Sequence, residues 1–284
     1  MSRPVTSLAI VGGGFMGAGI AETAAFAEIP VVVRELPEYL DAARQRLETS
    51  MDRAVKRGKR DAADRDAALA RITLTSELKD VAGADLVIEA VPENLELKTS
   101  IMKALDGIVA ENAIIASNTS AIPIAQLARP VHNPERVVGL HFFSPVPVMA
   151  LVEIVRALDT SDETIETAHA FVQRLGKRAI ETKDRCGFIV NMLLVPYLMS
   201  AVRMFEDDFA SRDDIDEGMK LGAGHPMGPL TLCDFIGLDV LHAICDSLYE
   251  EYKRDEYASP PLMKRMIDAG RLGRKAGRGF YEYE

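Results

Sequence analysis

Short apolar runs alternate with amphipathic stretches over roughly the first two thirds of the chain, and amphipathic stretches alone fill the remainder. Leu8-Ala-Ile-Val11, Val31-Val-Val33, Leu86 to Val91, Ala113 to Ser117, Val137 to Phe142 and Leu151 to Val155 are brief and nearly continuous in apolar character. That is how strands covered on both faces read. Between Glu38 and Ile72 the spacing changes to three and four residues, through Leu40, Ala43, Leu47, Met51 and Ala54. The pattern breaks at Gly58 and resumes from Ala67 to Ile72, which predicts a helical hairpin inserted among the strands. A helix over Ser161 to Leu175 and a short strand near Arg178 to Glu181 complete the alternation. After Asp184-Arg185 helical periodicity dominates to about Ala269, punctuated by a helix-to-helix turn at Gly222, Gly224, Pro226, Gly228 and Pro229. The expected fold is α/β: a Rossmann-type, doubly wound, mostly parallel sheet with an inserted helical arm (about 38–72), followed by an all-α C-terminal domain. The boundary falls so that residues 1–184 form the first domain and 185–284 the second.

The first strand runs into Gly12, Gly14 and Gly17 at G-x-G-x-x-G spacing, with Phe15 and Met16 in the turn and small residues (Ala18, Gly19, Ala21) opening a helix. In such a turn the first glycine permits the bend, the second lets the backbone approach a pyrophosphate, and the third lets helix lie close on strand. The helix N-terminus then presents unpaired N–H groups and the positive end of its dipole to the phosphates. Spacing alone is a weak signal, but strand, glycines, helix, second strand and a terminal acid occur here in order. Glu35, 23 residues after Gly12, stands where a carboxylate would accept hydrogen bonds from ribose hydroxyls and repel a ribose phosphate. NAD is therefore the expected cofactor, with Arg34 as the neighbouring cation.

With 284 residues, 48% of them hydrophobic and 27% charged, the chain suits two domains with a substantial core. Its net charge of −10 argues against nucleic-acid binding, which needs a broad positive surface. Against that background Arg53, Lys56, Arg57, Lys59 and Arg60 form a dense basic cluster. Cys186, Cys233 and Cys245 are odd in number and lack metal-ligand spacing, so no metal is expected and a reducing, cytoplasmic setting fits. The glycine turn accounts for the apolar N-terminal run without a secretory signal. Phe188 to Val202 is too short and too interrupted, by Asn191 and Pro196, to span a bilayer.

Ligands of open α/β sheets lie outside the carboxyl ends of the strands. Polar residues there are Glu93, Ser117 to Ser120, His141 and Glu153. An acid flanked by Leu151, Val152, Ile154 and Val155 needs a partner, and a histidine would satisfy it. Such a pair orients an imidazole and stabilises its charged form. Alcohol oxidation needs that group, because hydride leaves the carbon only as the hydroxyl proton is taken.

These motifs together resemble the short-chain 3-hydroxyacyl-CoA dehydrogenase family, of the 3-hydroxybutyryl-CoA dehydrogenase type. The resemblance runs through Gly12 to Ala21, Glu89 to Lys98, Ser117 to Ser120, Gly139 to Pro147, Gly187 to Asn191, Leu221 to Pro229 and Gly273 to Tyr281. It implies that His141 is the catalytic base, Glu153 its orienting carboxylate, Ser120 a contact to the reacting hydroxyl and nicotinamide, and Asn191 a substrate-holding amide. It further implies that Glu93, Lys98 and Asn118 serve the cofactor and that Ser50 and Lys56 on the helical arm meet coenzyme A. An acyl-CoA thioester substrate, a place in fatty acid metabolism and a homodimer formed through the C-terminal domain follow from the same resemblance. The chain departs from the family pattern at Glu35, where aspartate is usual, at Ser144, where asparagine is usual, and at Met192, where a basic residue is usual. Two other functions share much of this pattern: a dehydrogenase of small free 3-hydroxy acids, which would be expected to use a lysine base, and an NAD-binding structural or regulatory protein without turnover.

Overall fold

The computed structural model describes residues 3–283 and divides into two compact units, Met1–Asp184 and Arg185–Glu284. In the first unit the apolar runs become β1 (Leu8–Val11), β2 (Val31–Arg34), β3 (Ile72–Thr75), β4 (Leu86–Glu89), β5 (Ile114–Ser117), β6 (Val137–Phe142), β7 (Leu151–Arg156) and β8 (Arg178–Lys183). Among them run α1 (Phe15–Phe26), α2 (Leu40–Lys56), α3 (Ala62–Ala70), α4 (Leu95–Asp106), α5 (Ile124–Ala128) and α6 (Asp162–Arg174). Strand order is β3-β2-β1-β4-β5-β6-β7-β8. Order reverses at β1, so the chain leaves β1 and β4 on opposite sides of a crevice at their carboxyl ends, the place where open α/β sheets bind ligands.

Strands β1, β4, β5 and β6 are buried along their whole length, which is why they read as nearly unbroken apolar runs. One pairing departs from the parallel rule. β6 and β7 are antiparallel, with His141 directly opposite Glu153, while β7 and β8 are parallel again. The helical arm also ends earlier than periodicity suggests: α3 stops at Ala70, and Ile72-Thr-Leu-Thr75 pairs with β2 as an edge strand. β-branched residues at alternate positions favour that extended form, and the apolar spacing that extends the helix to Ile72 ignores them.

The second unit is helical: α7 (Val190–Glu206), α8 (Arg212–Gly222), α9 (Pro229–Ile236), α10 (Leu238–Tyr252) and α11 (Pro261–Asp268). Two buried aspartates organise it. Asp216 accepts from the backbone N–H groups of Leu230 and Thr231 at 2.7 and 2.9 Å, capping α9 from outside its own sequence. Asp234 accepts from Phe280 N, Tyr281 N and the Tyr283 hydroxyl, each at 2.9 Å, and so fastens the C-terminal segment. Among the described residues no helix is long and apolar enough to cross a membrane, and no group of three or more His, Cys, Asp or Glu side chains could hold a metal ion.

Candidate active site

The turn after β1 is shaped by what it lacks. Gly12 has φ of +106°, and a Cβ there would stand 2.7 Å from the Ala90 carbonyl oxygen. A Cβ on Gly17 would lie 1.8 Å from Gly12 O, so only hydrogen lets α1 approach β1 this closely. Gly14 is different: nothing lies within 4 Å of its missing Cβ, and it begins α1 with no side chain capping the helix. The amino end of α1 is thus open to an anion, flanked by the exposed Phe15 and half-buried Met16. Glu35 closes the edge of this cradle. Its Oε2 accepts from Gly13 N at 2.8 Å and its Oε1 from Leu36 N at 2.7 Å, which fixes the carboxylate while leaving each oxygen further capacity to accept. An open helix end, glycines that admit no side chain and an anchored acid fit a dinucleotide such as NAD.

His141 and Glu153 meet because β6 and β7 place them opposite one another, where side chains of an antiparallel pair are nearest neighbours. Nδ1 of His141 lies 2.7 Å from Glu153 Oε2, and both side chains are buried. The carboxylate accepts the Nδ1 proton, which leaves the lone pair on Nε2. There the Ser120 hydroxyl sits at 3.1 Å. Phe143 packs on the imidazole at a ring-centroid distance of 4.6 Å, so the base is held on both ring nitrogens and one face. Such a constellation can take a proton at Nε2 and stabilise the resulting imidazolium through Glu153.

Beneath Ser120 lies a second set of charges. Glu93 Oε1 accepts from the Thr119 hydroxyl at 2.5 Å, Ser120 N at 3.0 Å and Ala121 N at 3.1 Å. Burial pushes the Glu93 carboxyl upward, but Lys98 and these hydrogen bonds outweigh it and hold the group below its ordinary value. Asn118 uses its Oδ1 to accept from Phe142 N at 2.9 Å, tying the same loop to the residue after His141. Lys98, expected to serve the cofactor, is held within the protein. Its side chain is buried, and Nζ faces Glu89 Oε1 at 2.8 Å, Glu89 Oε2 and Val91 O at 3.1 Å, and Glu93 Oε2 at 3.3 Å. An ammonium has three protons, and the protein's own acceptors surround it.

Ser50 lies on α2 and is half-buried, whereas Lys56, at the end of α2, is exposed. Arg60 of the basic cluster stacks over Phe26 at 4.5 Å. Asn191 stands in the first turn of α7, in the second unit. The structure therefore brings together His141, Glu153, Ser120, Glu93 and Asn118 in one network, with the glycine turn and Glu35 in a separate local group. Sequence reasoning gave no role to Glu89. Glu89 carried a signal: like Glu153, it is an acid inside an apolar strand, Leu86-Val-Ile-Glu89.

With this geometry in view, the comparisons with known proteins are specific. The model of the 3-hydroxyacyl-CoA dehydrogenase NAD binding domain matches residues 7–185, and that of the 3-hydroxyacyl-CoA dehydrogenase C-terminal domain matches residues 187–283. A 3-hydroxybutyryl-CoA dehydrogenase of Mycobacterium tuberculosis is 48% identical over 286 residues, covering 100% of both chains. The crystal structure of M. tuberculosis FadB2 is similar with a TM-score of 0.98 at 46% identity, over 99% of this chain and 100% of that one. That of (S)-3-hydroxybutyryl-CoA dehydrogenase PaaH1 from Ralstonia eutropha gives 0.93 at 45% identity, over 99% of each.

Proposed function

The chain belongs to the 3-hydroxyacyl-CoA dehydrogenase family, an oxidoreductase with NAD as its cofactor, and from that premise we propose that it reversibly oxidises a short-chain 3-hydroxyacyl-CoA, of the (S)-3-hydroxybutyryl-CoA type, to the 3-oxoacyl-CoA. The observation that carries this reading is the buried His141–Glu153 pair, 2.7 Å apart, with the Ser120 hydroxyl on the outer imidazole nitrogen. The names of the mycobacterial and Ralstonia relatives support the hydroxybutyryl chain and, for the latter, the S hand.

NAD, when bound, supplies the acceptor for the hydride that leaves the carbinol carbon; Gly12, Gly14, Gly17 and Glu35 would hold its adenosine and phosphates. His141 Nε2 accepts the hydroxyl proton, using the lone pair that Ser120 otherwise occupies. Glu153 holds the ring by Nδ1 and stabilises the positive charge that develops there. Ser120 then keeps a hydrogen bond to the substrate oxygen as it becomes a carbonyl. Asn191 is assigned a grip on the thioester by family resemblance, and Ser50 and Lys56 the coenzyme A. A lysine-based mechanism on free hydroxy acids finds little support, since Lys98 already serves Glu89, Val91 and Glu93. Exposed Leu193, Phe209 and Leu221 of the second unit support self-association through that unit.

The test is direct. Mixed with NAD and 3-hydroxybutyryl-CoA, the protein is expected to produce NADH, and free 3-hydroxybutyrate should be a poor substitute. His141→Gln should lose turnover by about 10²–10⁴-fold, the range for removing a general base, while retaining NAD affinity. Wild-type turnover in that variant would remove the proposed base.

A further inference from the structure

We propose that Glu89 is a positioning residue for the reaction: through Lys98 and Glu93 it sets the 119–121 backbone, and so the place of the Ser120 hydroxyl on His141 Nε2. The consequence for turnover rests on the dehydrogenase reading above.

Glu89 is fully buried at the end of β4, opposite Ser117 in β5. Its Oε1 accepts from Val91 N at 2.7 Å and Lys98 Nζ at 2.8 Å, and its Oε2 from the Ser117 hydroxyl at 2.7 Å and Lys98 Nζ at 3.1 Å. One carboxylate thus ties two strands, the loop after β4 and helix α4. Lys98 and Glu89 form the tighter, fully buried ion pair, so Glu93, whose side chain is 41% exposed, is the carboxylate in excess over the one ammonium.

What Glu89 adds is direction. It holds the ammonium on its own side, so that Glu93 receives the longest of the contacts, 3.3 Å, through Oε2. Glu93 Oε1 is left to the Thr119 hydroxyl and to the N–H groups of Ser120 and Ala121. Without Glu89 the ammonium has one carboxylate to turn to, and draws it away from the 119–121 turn. Ser120, whose backbone N–H hangs on that carboxylate and whose hydroxyl reaches the base, moves with it.

Two variants test the proposal. Glu89→Gln keeps the shape but not the charge. The double variant Glu89→Gln/Lys98→Met also removes the ammonium, so that nothing is left to draw Glu93 from the 119–121 turn and no buried cation is left bare. In Glu89→Gln, kcat on 3-hydroxybutyryl-CoA is expected to fall on the order of tenfold to a hundredfold, the scale of a small misplacement near the reacting atoms, with KM for the thioester little changed, and the double variant should recover most of that loss. In the apoenzyme the ¹⁵N resonance of His141 Nε2, which reports the hydrogen bond it accepts, should shift. A wild-type kcat or an unmoved Nε2 resonance in folded Glu89→Gln overturns the proposal, as does a folded double variant whose turnover stays low. If the wild-type protein itself oxidises no 3-hydroxyacyl thioester, the functional reading fails instead, and the resonance of the apoenzyme still decides whether Glu89 places Ser120.

Discussion

The turn after β1 and the cluster at the carboxyl ends of β4 to β6, with the facing amino-terminal half of β7, are built by opposite means. In the turn, Gly12, Gly14 and Gly17 act through missing side chains, and the groups offered to a ligand are backbone N–H groups at the start of α1. In the cluster, Glu89, Lys98, Glu93, Ser120, His141 and Glu153 act through side chains, most of them buried and each held by at least one other. The first region spans a few consecutive residues; the second gathers residues from three strands, two loops and a helix. A recognition site for phosphate can be local because every peptide carries an N–H. A proton-transfer site needs particular ionisable groups at hydrogen-bond distance, and only tertiary structure assembles them.

Substitutions that strike one region and spare the other sharpen this contrast. The largest effect is expected from Glu153→Gln. The amide fills the same space but no longer stabilises an imidazolium or dictates which ring nitrogen carries the proton, so turnover should fall by about 10³–10⁴-fold. NAD affinity, measured by calorimetry, should not change. A parallel loss of NAD binding would mean that the two regions are not separable.

Gly17→Ala is the reverse experiment. Its new methyl would stand 1.8 Å from Gly12 O, and the backbone must yield. A destabilisation of about 1–3 kcal/mol, the usual cost of overpacking, should appear as a lower thermal midpoint together with weaker NAD binding. Unchanged affinity would show that the third glycine is not needed for the cradle.

The smallest effect separates two acids by the sign of their pH dependence. Glu22, on α1 behind the cradle, is buried, and its Oε2 has no hydrogen-bond partner among the described residues. Burial raises its carboxyl above the ordinary 4.5, against the pull of Ser50 and Arg60. The folded state therefore holds this proton to higher pH than the unfolded chain, and stability is lost as pH rises above that value. Glu93 has the opposite sign: its lowered carboxyl contributes stability above 4.5 that is lost as pH falls below it. Glu22→Gln should accordingly raise the thermal midpoint near neutral pH and leave it unchanged in acid. A lower midpoint at neutral pH would show that the charge of Glu22 is useful where it sits.

Much of this architecture can be read from the chain. The strands of the first unit follow from apolar runs, and the glycine turn from spacing plus context. Glu153 was suspect because an acid in an apolar strand demands a partner. The same reasoning applied to Leu86-Val-Ile-Glu89 points to Glu89 as well, but the Glu-Asn-Leu-Glu-Leu-Lys stretch that follows draws attention to Lys98 as a ligand contact. That lysine turns inward because Glu89 and the Val91 carbonyl offer it acceptors that no local pattern reveals. Strand β3 is not predicted, and its first residue, Ile72, is counted into the helical arm, because four residues carry too little periodicity to compete with the helix before them.

Local chemistry thus determined the elements, the phosphate turn and the identities of the acid and the base, since backbone conformation and solvation act on neighbours in the chain. Tertiary structure decided which strands pair and in which direction. His141 and Glu153 face each other through the antiparallel register of β6 and β7, and an offset of one residue would send one of the two to the other face of the sheet. The inward turn of Lys98 was decided there too, because a charge removed from water takes the partner that folding brings to it.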